Sequence, residues 1–346
     1  MENVYPFHHR HADGGIALVA TRWYMTGNSG VNSMDGYRFR ILICIDGSDE
    51  SYRGLLYTAR LGRGLDCDIV LLYIRPADQG LRSGGLQVRV ARENMLKWGL
   101  ELPGIKYLKK GLDILKELEV MDGENWTETT THLEIERDPL GDNSIEYVNA
   151  DGRKIILKLK VAEDVARGIL EQWELGEYDL IIMGDQLGDR SGGLAKSLWD
   201  PAVAEKVAIH ATCSVLIARD LQQGRGHLLC VDGSDRALDM VRRDGQLALA
   251  CSCPVSIISV ALDDEGLPQA KGNVDAAIAA LAEVGNSPVD VLTPVGDPVT
   301  QICEAGKNYS VIVVADTSVT GIKRFFMGGV SFKVLAEAEN SVLISK

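Results

Sequence analysis

Two hexapeptides, CIDGSD at Cys44–Asp49 and CVDGSD at Cys230–Asp235, differ only by Ile45 against Val231. Each follows a short, fully apolar, branched run, such as Ile41–Ile45 in the first copy. That pattern reads as a buried parallel strand. In each copy the glycine permits a tight turn, and Ser48 or Asp49 caps a helix that begins near Glu50. CDIVLLYI at 67–74 is the next strand, so the first copy opens as a β-α-β unit, for which a right-handed crossover is the strong default. A chain that writes this unit twice is constrained to two related α/β layers.

The second copy repeats the pattern through to the last residues. Strand and turn at HLLCVDGSD lead to a helix over Arg236–Ala250, and PVSIISVAL is the next strand. An Ala-rich helix over Val274–Val284 precedes PVDVLTPV, the third strand. A helix over Pro298–Gly306, the strand VIVVAD, a helix over Val330–Ala338 and the closing strand SVLIS complete the series. Five strands alternating with helices predict an open sheet covered on both faces. The first copy parallels it with DLIIMGD at 179–185 and CSVLIAR at 213–219, but its span from Asp46 to Ser214 is much longer than that from Asp232 to Ser341. The fold expected is α/β, with two doubly wound, mainly parallel five-stranded sheets. The organisation expected is an appendage over 1–37, a first domain over 38–220 with an insertion at about 78–160, and a second domain over 225–346. Within the insertion, Ile105, Leu108, Leu112, Leu115 and Leu118 share one helical face, THLEIE is read as the third core strand, and SIEYVNADGRKIILKLK as a hairpin about Asp151-Gly152. The insertion reads either as a cover for a sheet edge or as a lid or partner element.

Charge and composition narrow the function. The net charge of −13 argues against a nucleic-acid backbone binder, which needs a basic face. No apolar run reaches the ~18–20 residues of a membrane span, and a cytoplasmic protein is expected, with neither nucleic acid nor membrane as partner. Seven cysteines stand at 44, 67, 213, 230, 251, 253 and 303, without a CxxC or metal-ligand spacing. They read as reduced core thiols, and Cys251-Ser252-Cys253 as the start of a strand. His8, His9 and His11 lie in the polar appendage without a Cys or acidic partner at ligand spacing, so no metal site is expected. His132, His210 and His227 read as structural, and neither a G-x-G-x-x-G after a strand nor a Walker loop is present.

The V/I-D-G-S turn, the fourth strand ending in Met-Gly, a Gly-rich loop and an apolar closing strand resemble the universal stress protein family. The likeness covers about 38–77 and 161–346, with 295–344 in the second copy and 178–185 and 205–219 in the first as its clearest stretches, so the whole is similar to a tandem member. The resemblance implies that the two copies pair through their last strands, and that the repeated turn lies beside the crevice where an open α/β sheet takes its ligand. It also implies ATP or another adenine nucleotide with Mg²⁺ as ligand. The Asp after the first strand would contact the adenosine part, and a G-x2-G-x9-G-[S/T] loop would wrap the phosphates with its amides.

Asp232 and Gly233, and in the first copy Asp46 and Gly47, fit the first role, although a turn-capping Asp is the plain structural reading. In the phosphate loop the second copy departs from the pattern. Ala315, Ser318 and Gly328 stand at the glycine positions and Gly329 at the hydroxyl position, with Ser331 two residues on to replace it. The Lys323-Arg324 pair reads as phosphate help or as a solvated face. In the first copy Gly184, Gly188, Gly192 and Gly193 keep the loop Gly-rich, but Pro201, which has no N–H, takes the last glycine position. A hydrogen bond to a charged group contributes about 1.5–3 kcal/mol, so two lost bonds weaken binding by roughly 10²- to 10⁴-fold. The first site is therefore expected not to hold ATP, and the second to be degenerate but open to it.

The expected function is a non-catalytic stress-response protein that acts by binding a protein partner and, in its second domain, an adenine nucleotide. A homodimer is compatible with this. A weak ATP-hydrolysing switch and a carrier of an apolar ligand remain as alternatives.

Overall fold

The structure, a computed structural model, describes residues 38–76, 103–121, 125–135, 138–172, 175–184, 201–219, 224–316 and 329–346. The appendage expected over 1–37, with its three histidines, lies outside the described residues.

Strand β1 (Phe39–Cys44) buries Ile41, Leu42 and Ile43 completely, as a parallel strand covered on both faces requires. It ends at the Asp46–Ser48 turn, where the Ser48 hydroxyl accepts from the Ser51 amide and starts α1 (Asp49–Gly64). Strand β2 (Cys67–Pro76) returns parallel to β1. Helix α2 (Pro103–Glu117) follows, then β3 (Thr127–Ile135), β4 (Asp138–Val148) and β5 (Lys154–Ala162). Helix α3 (Val165–Leu170), β6 (Leu180–Gly184), α4 (Pro201–His210) and β7 (Ser214–Ala218) close the first copy. The second copy runs β8 (His227–Cys230), α5 (Asp235–Ala250), β9 (Val255–Ile258), α6 (Leu267–Glu283), β10 (Asp290–Leu292), α7 (Pro298–Gly306), β11 (Val311–Ala315), α8 (Val330–Glu337) and β12 (Ser341–Ser345).

The strands form one continuous sheet in the order β10-β9-β8-β11-β12-β7-β6-β1-β2-β5-β4-β3. The two expected five-stranded sheets are thus two runs of five parallel strands inside a single sheet, extended at one edge by two antiparallel strands. Within each run the strands lie in the same order, third, second, first, fourth, fifth. The runs meet where β12 pairs antiparallel with β7, Leu343 opposite Leu216. Those two leucines occupy the same place in SVLIS and SVLIA, so the junction relates the copies by a pseudo-two-fold axis.

The junction is closed by more than the ladder. Arg219 is buried and donates through Nη1 to the Ala338 carbonyl (2.8 Å) and through Nη2 to that of Leu335 (2.6 Å), placing its charge on the negative end of α8. Lys346 Nζ donates across the junction to the Ile209 carbonyl (3.4 Å) and pairs with Asp316 of its own copy at 2.7 Å. One hydrophobic cluster runs through both copies, from Leu42, Val70 and Ile181 to Ile312, Val342 and Ile344.

Two readings of the insertion are corrected. The third core strand is β5, parallel to β2, and not THLEIE; β3 is the outermost strand, exposed along Thr127–Leu133. The hairpin about Asp151-Gly152 exists as β4 and β5, but its second arm belongs to the core. Helix α2 is also a core element. Parallel β2 and β5 need a crossover helix, and α2 holds the place that α6 holds between β9 and β10. No helix among the described residues is long and apolar enough to cross a membrane.

Candidate functional site

The repeated turn has the same internal bonding twice. Asp232 Oδ1 accepts from the Ser234 amide (3.0 Å) and hydroxyl (2.6 Å), and Ser234 Oγ accepts from the Ala237 amide (3.2 Å) to cap α5. Asp46 Oδ1 accepts from the Ser48 amide (2.9 Å) and hydroxyl (2.5 Å). The capping role accounts for one carboxylate oxygen. Asp232 Oδ2 has no hydrogen-bond partner among the described residues, and Asp232 is exposed. Gly233 sits at φ +82°, and a Cβ there would stand 2.3 Å from Asn273 Oδ1, so the position excludes any side chain.

Beside this turn opens a crevice of 540 Å³. Its floor is the ends of β8, β9 and β11, at the point where the strand order reverses between β8 and β11. Val231, Ile258, Val260, Val314 and Ile302 make it largely aliphatic. Asp232, Ser259, Asp263, Gln269 and Asn273 add polar groups on one side. Asn273 is held there: its amide donates to Ser259 Oγ (3.2 Å), and its carbonyl accepts from Gln269 (3.2 Å). Gly329, Val330 and Ser331 bring in the start of α8, which no side chain caps. Uncapped amides at a helix start favour an anion. The described lining contains no Lys, Arg or His. Cys230 also lines the crevice, and burial pushes its thiol far above the usual range.

At the same corner of the first copy an aromatic ring lies against the turn. A Cβ on Gly47 (φ +92°) would stand 2.7 Å from the Tyr107 ring. Tyr107 of α2 therefore packs on the first turn where Asn273 of α6 packs on the second. The Tyr52 hydroxyl donates to the Tyr107 carbonyl (3.1 Å), and burial, helped by the charge of Asp46, pushes that phenol up to about 12. Lys110 lies 4.2 Å from the centre of the Tyr52 ring and 3.6 Å from Asp49 Oδ1.

Gly184 ends β6, and a Cβ there would stand 2.6 Å from the Glu50 carbonyl, so this glycine admits the start of α1. Ala315 takes the matching place at the end of β11 and lines the open crevice. Ser331 lines it too, and its buried hydroxyl donates to the Ala315 carbonyl (2.8 Å). Pro201 is the first residue of α4. Ser318, Gly328, Gly188, Gly192, Gly193, Lys323 and Arg324 lie outside the described residues. Sequence reading passed over Asn273, Gln269 and Ser259. The available signal was an Asn on the otherwise apolar Ala270–Val274–Ala277–Leu281 face of α6.

Comparison with known proteins agrees with this architecture. Residues 227–346 match the model of the universal stress protein family. No curated protein matches the chain. The structure of a universal stress protein from Archaeoglobus fulgidus DSM 4304 superposes with a TM-score of 0.57 at 15% identity, covering 89% of this chain and 98% of that one. A provisionally assigned universal stress protein from Pseudomonas aeruginosa UCBPP-PA14 gives 0.54 at 16% identity, covering 89% and 93%. At these identities the likeness is one of fold.

Proposed function

We propose, from the match of residues 227–346 to the universal stress protein family, that this chain acts by binding: it holds an adenine nucleotide in its second crevice and presents that state to a protein partner. The observation that carries the reading is the difference between two otherwise equivalent corners. Asp232 keeps an oxygen that has no partner among the described residues, beside an open 540 Å³ crevice, whereas Tyr107 packs on the turn at Asp46–Ser48.

The residues present fit the nucleoside end best. Aliphatic walls suit a purine face, Asp232 Oδ2 suits a ribose hydroxyl as acceptor, and Asn273 and Gln269 offer amides to a base edge. The start of α8 suits a phosphate. Mg²⁺, where present, would neutralise the phosphates that the described lining leaves without a cation. A binding role without catalysis is supported by burial, which pushes the Cys230 thiol up, and by the engagement of Asp232 Oδ1 with the Ser234 amide and hydroxyl.

Thermal unfolding with and without ATP, ADP or AMP and Mg²⁺ tests this. Ligand at 100 times Kd stabilises by about 2.7 kcal/mol, which a melt registers. Stabilisation should disappear in Asp232→Ala. No shift with any nucleotide would overturn the reading. The aliphatic lining favours a second reading, an apolar small ligand, which native mass spectrometry of the purified chain would reveal as copurifying mass.

A further inference from the structure

The geometry points to a second site, at the opposite end of the second copy's strands: a thiol-gated site for one Zn²⁺-class ion, built from His227, Cys251 and Cys253. Each Cys sulfur and a His227 ring nitrogen lie within 4.8 Å of one another. Donors bound to one tetrahedral zinc, at about 2.3 Å for sulfur and 2.0–2.1 Å for nitrogen, sit within about 4 Å of each other, so small side-chain shifts complete the set.

The fold brings these residues together for simple reasons. His227 begins β8 and donates its amide to the Pro254 carbonyl (2.8 Å), because β8 and β9 pair in parallel from that point. Cys251 and Cys253 form the turn that links α5 to β9, and there the two sulfurs are joined as a disulfide. This corrects both the expectation of reduced core thiols throughout and the reading of Cys251–Cys253 as a strand start. Ser252 between them holds φ +53°, a conformation that L-residues adopt at a cost. The turn lies at the C-terminal end of α5, where the helix dipole favours a cation.

A supporting group stands behind the histidine. His227 Nδ1 bonds Asp244 Oδ2 at 2.8 Å, with both side chains 1% exposed, and Nε2 has no hydrogen-bond partner among the described residues. A carboxylate on one imidazole nitrogen fixes the tautomer and offers the other nitrogen to a metal. Asp244 Oδ1 and the Tyr57 hydroxyl, whose ring stacks on His227, are buried without partners.

Loading requires the reduced form. A dithiol reductant gives two electrons and two protons to the Cys251–Cys253 bond, leaving two thiols and the oxidised reductant. The ion then displaces both thiol protons, and water completes its coordination. A disulfide oxidant takes two electrons from the two thiolates and two protons from water to become a dithiol; the Cys251–Cys253 bond re-forms and the ion, left with one of its three protein ligands, is released.

Cobalt titration of the phosphine-reduced full chain tests this, with Zn²⁺ displacement giving the affinity. We expect one equivalent of Co²⁺ with a thiolate-to-metal charge-transfer band, and no binding by the oxidised chain. Cys251→Ser and Cys253→Ser, in a half-buried turn, should fold as the parent does by circular dichroism and lose the band. Asp244→Asn should weaken Zn²⁺ binding by about 10- to 100-fold, the usual effect of removing such a support. Failure of the reduced chain to bind stoichiometric Co²⁺ would overturn the site. So would a band that survives either Cys→Ser variant, or a Zn²⁺ affinity unchanged in His227→Gln. A nucleotide response at Asp232 reads out separately, so the two sites stand or fall independently.

Discussion

At the scale of residues, burial decides which groups are chemically available. Burial pushes the Cys67 thiol up to about 11, against a partial lowering by Arg153, and the Cys213 thiol up to about 12. In the unfolded chain both titrate near 9. As pH rises through 9 the unfolded state loses these protons first, so it binds fewer than the folded state and stability falls. The contribution of these thiols is complete below pH 9 and is lost as pH climbs toward the folded values. Urea melts at pH 8 and pH 10 should show this loss, and Cys67→Ala should remove its share. A thiol reagent at pH 8 should leave Cys44, Cys67, Cys213 and Cys230 unmodified until urea is added. The repeated Asp-Gly-Ser turn was legible in the sequence at this scale, including its capping role. The partners that lie against each glycine were not, because Asn273 and Tyr107 arrive from helices distant in sequence and unlike one another.

At the scale of elements, the second copy reads almost strand by strand from its sequence, since each strand is a short branched run and α5, α6 and α7 start at a capping Ser or Asp or at a Pro. The first copy misled at β3 and β5. Both alternate and both flank a turn, and local pattern does not say which one pairs with β2. Burial does: Ile155, Leu157 and Leu159 are fully enclosed, whereas Thr127–Leu133 is exposed. Helix α2 was legible as an amphipathic helix, but its role as the β2–β5 crossover emerged only from the parallel pairing. Hydrogen exchange should therefore divide the hairpin. Amides of β5 should exchange with the global unfolding free energy and those of β3 by local opening, several orders of magnitude faster. Equal protection of the two strands would contradict this arrangement.

At the scale of the whole molecule, two copies of one fold share a sheet and a hydrophobic cluster but present different corners to a ligand. The shared core through β7 and β12 predicts a single cooperative unfolding transition, with fluorescence and far-UV circular dichroism coincident; two separated transitions would mean that the copies unfold independently. Under the proposed function, the different corners would give the chain one nucleotide site. Isothermal titration calorimetry of the intact chain with an adenine nucleotide tests this most directly. The predicted result is one equivalent per chain, abolished by Asp232→Ala and unchanged by Asp46→Ala. Two equivalents, no binding at all, or binding lost in Asp46→Ala but kept in Asp232→Ala would contradict it.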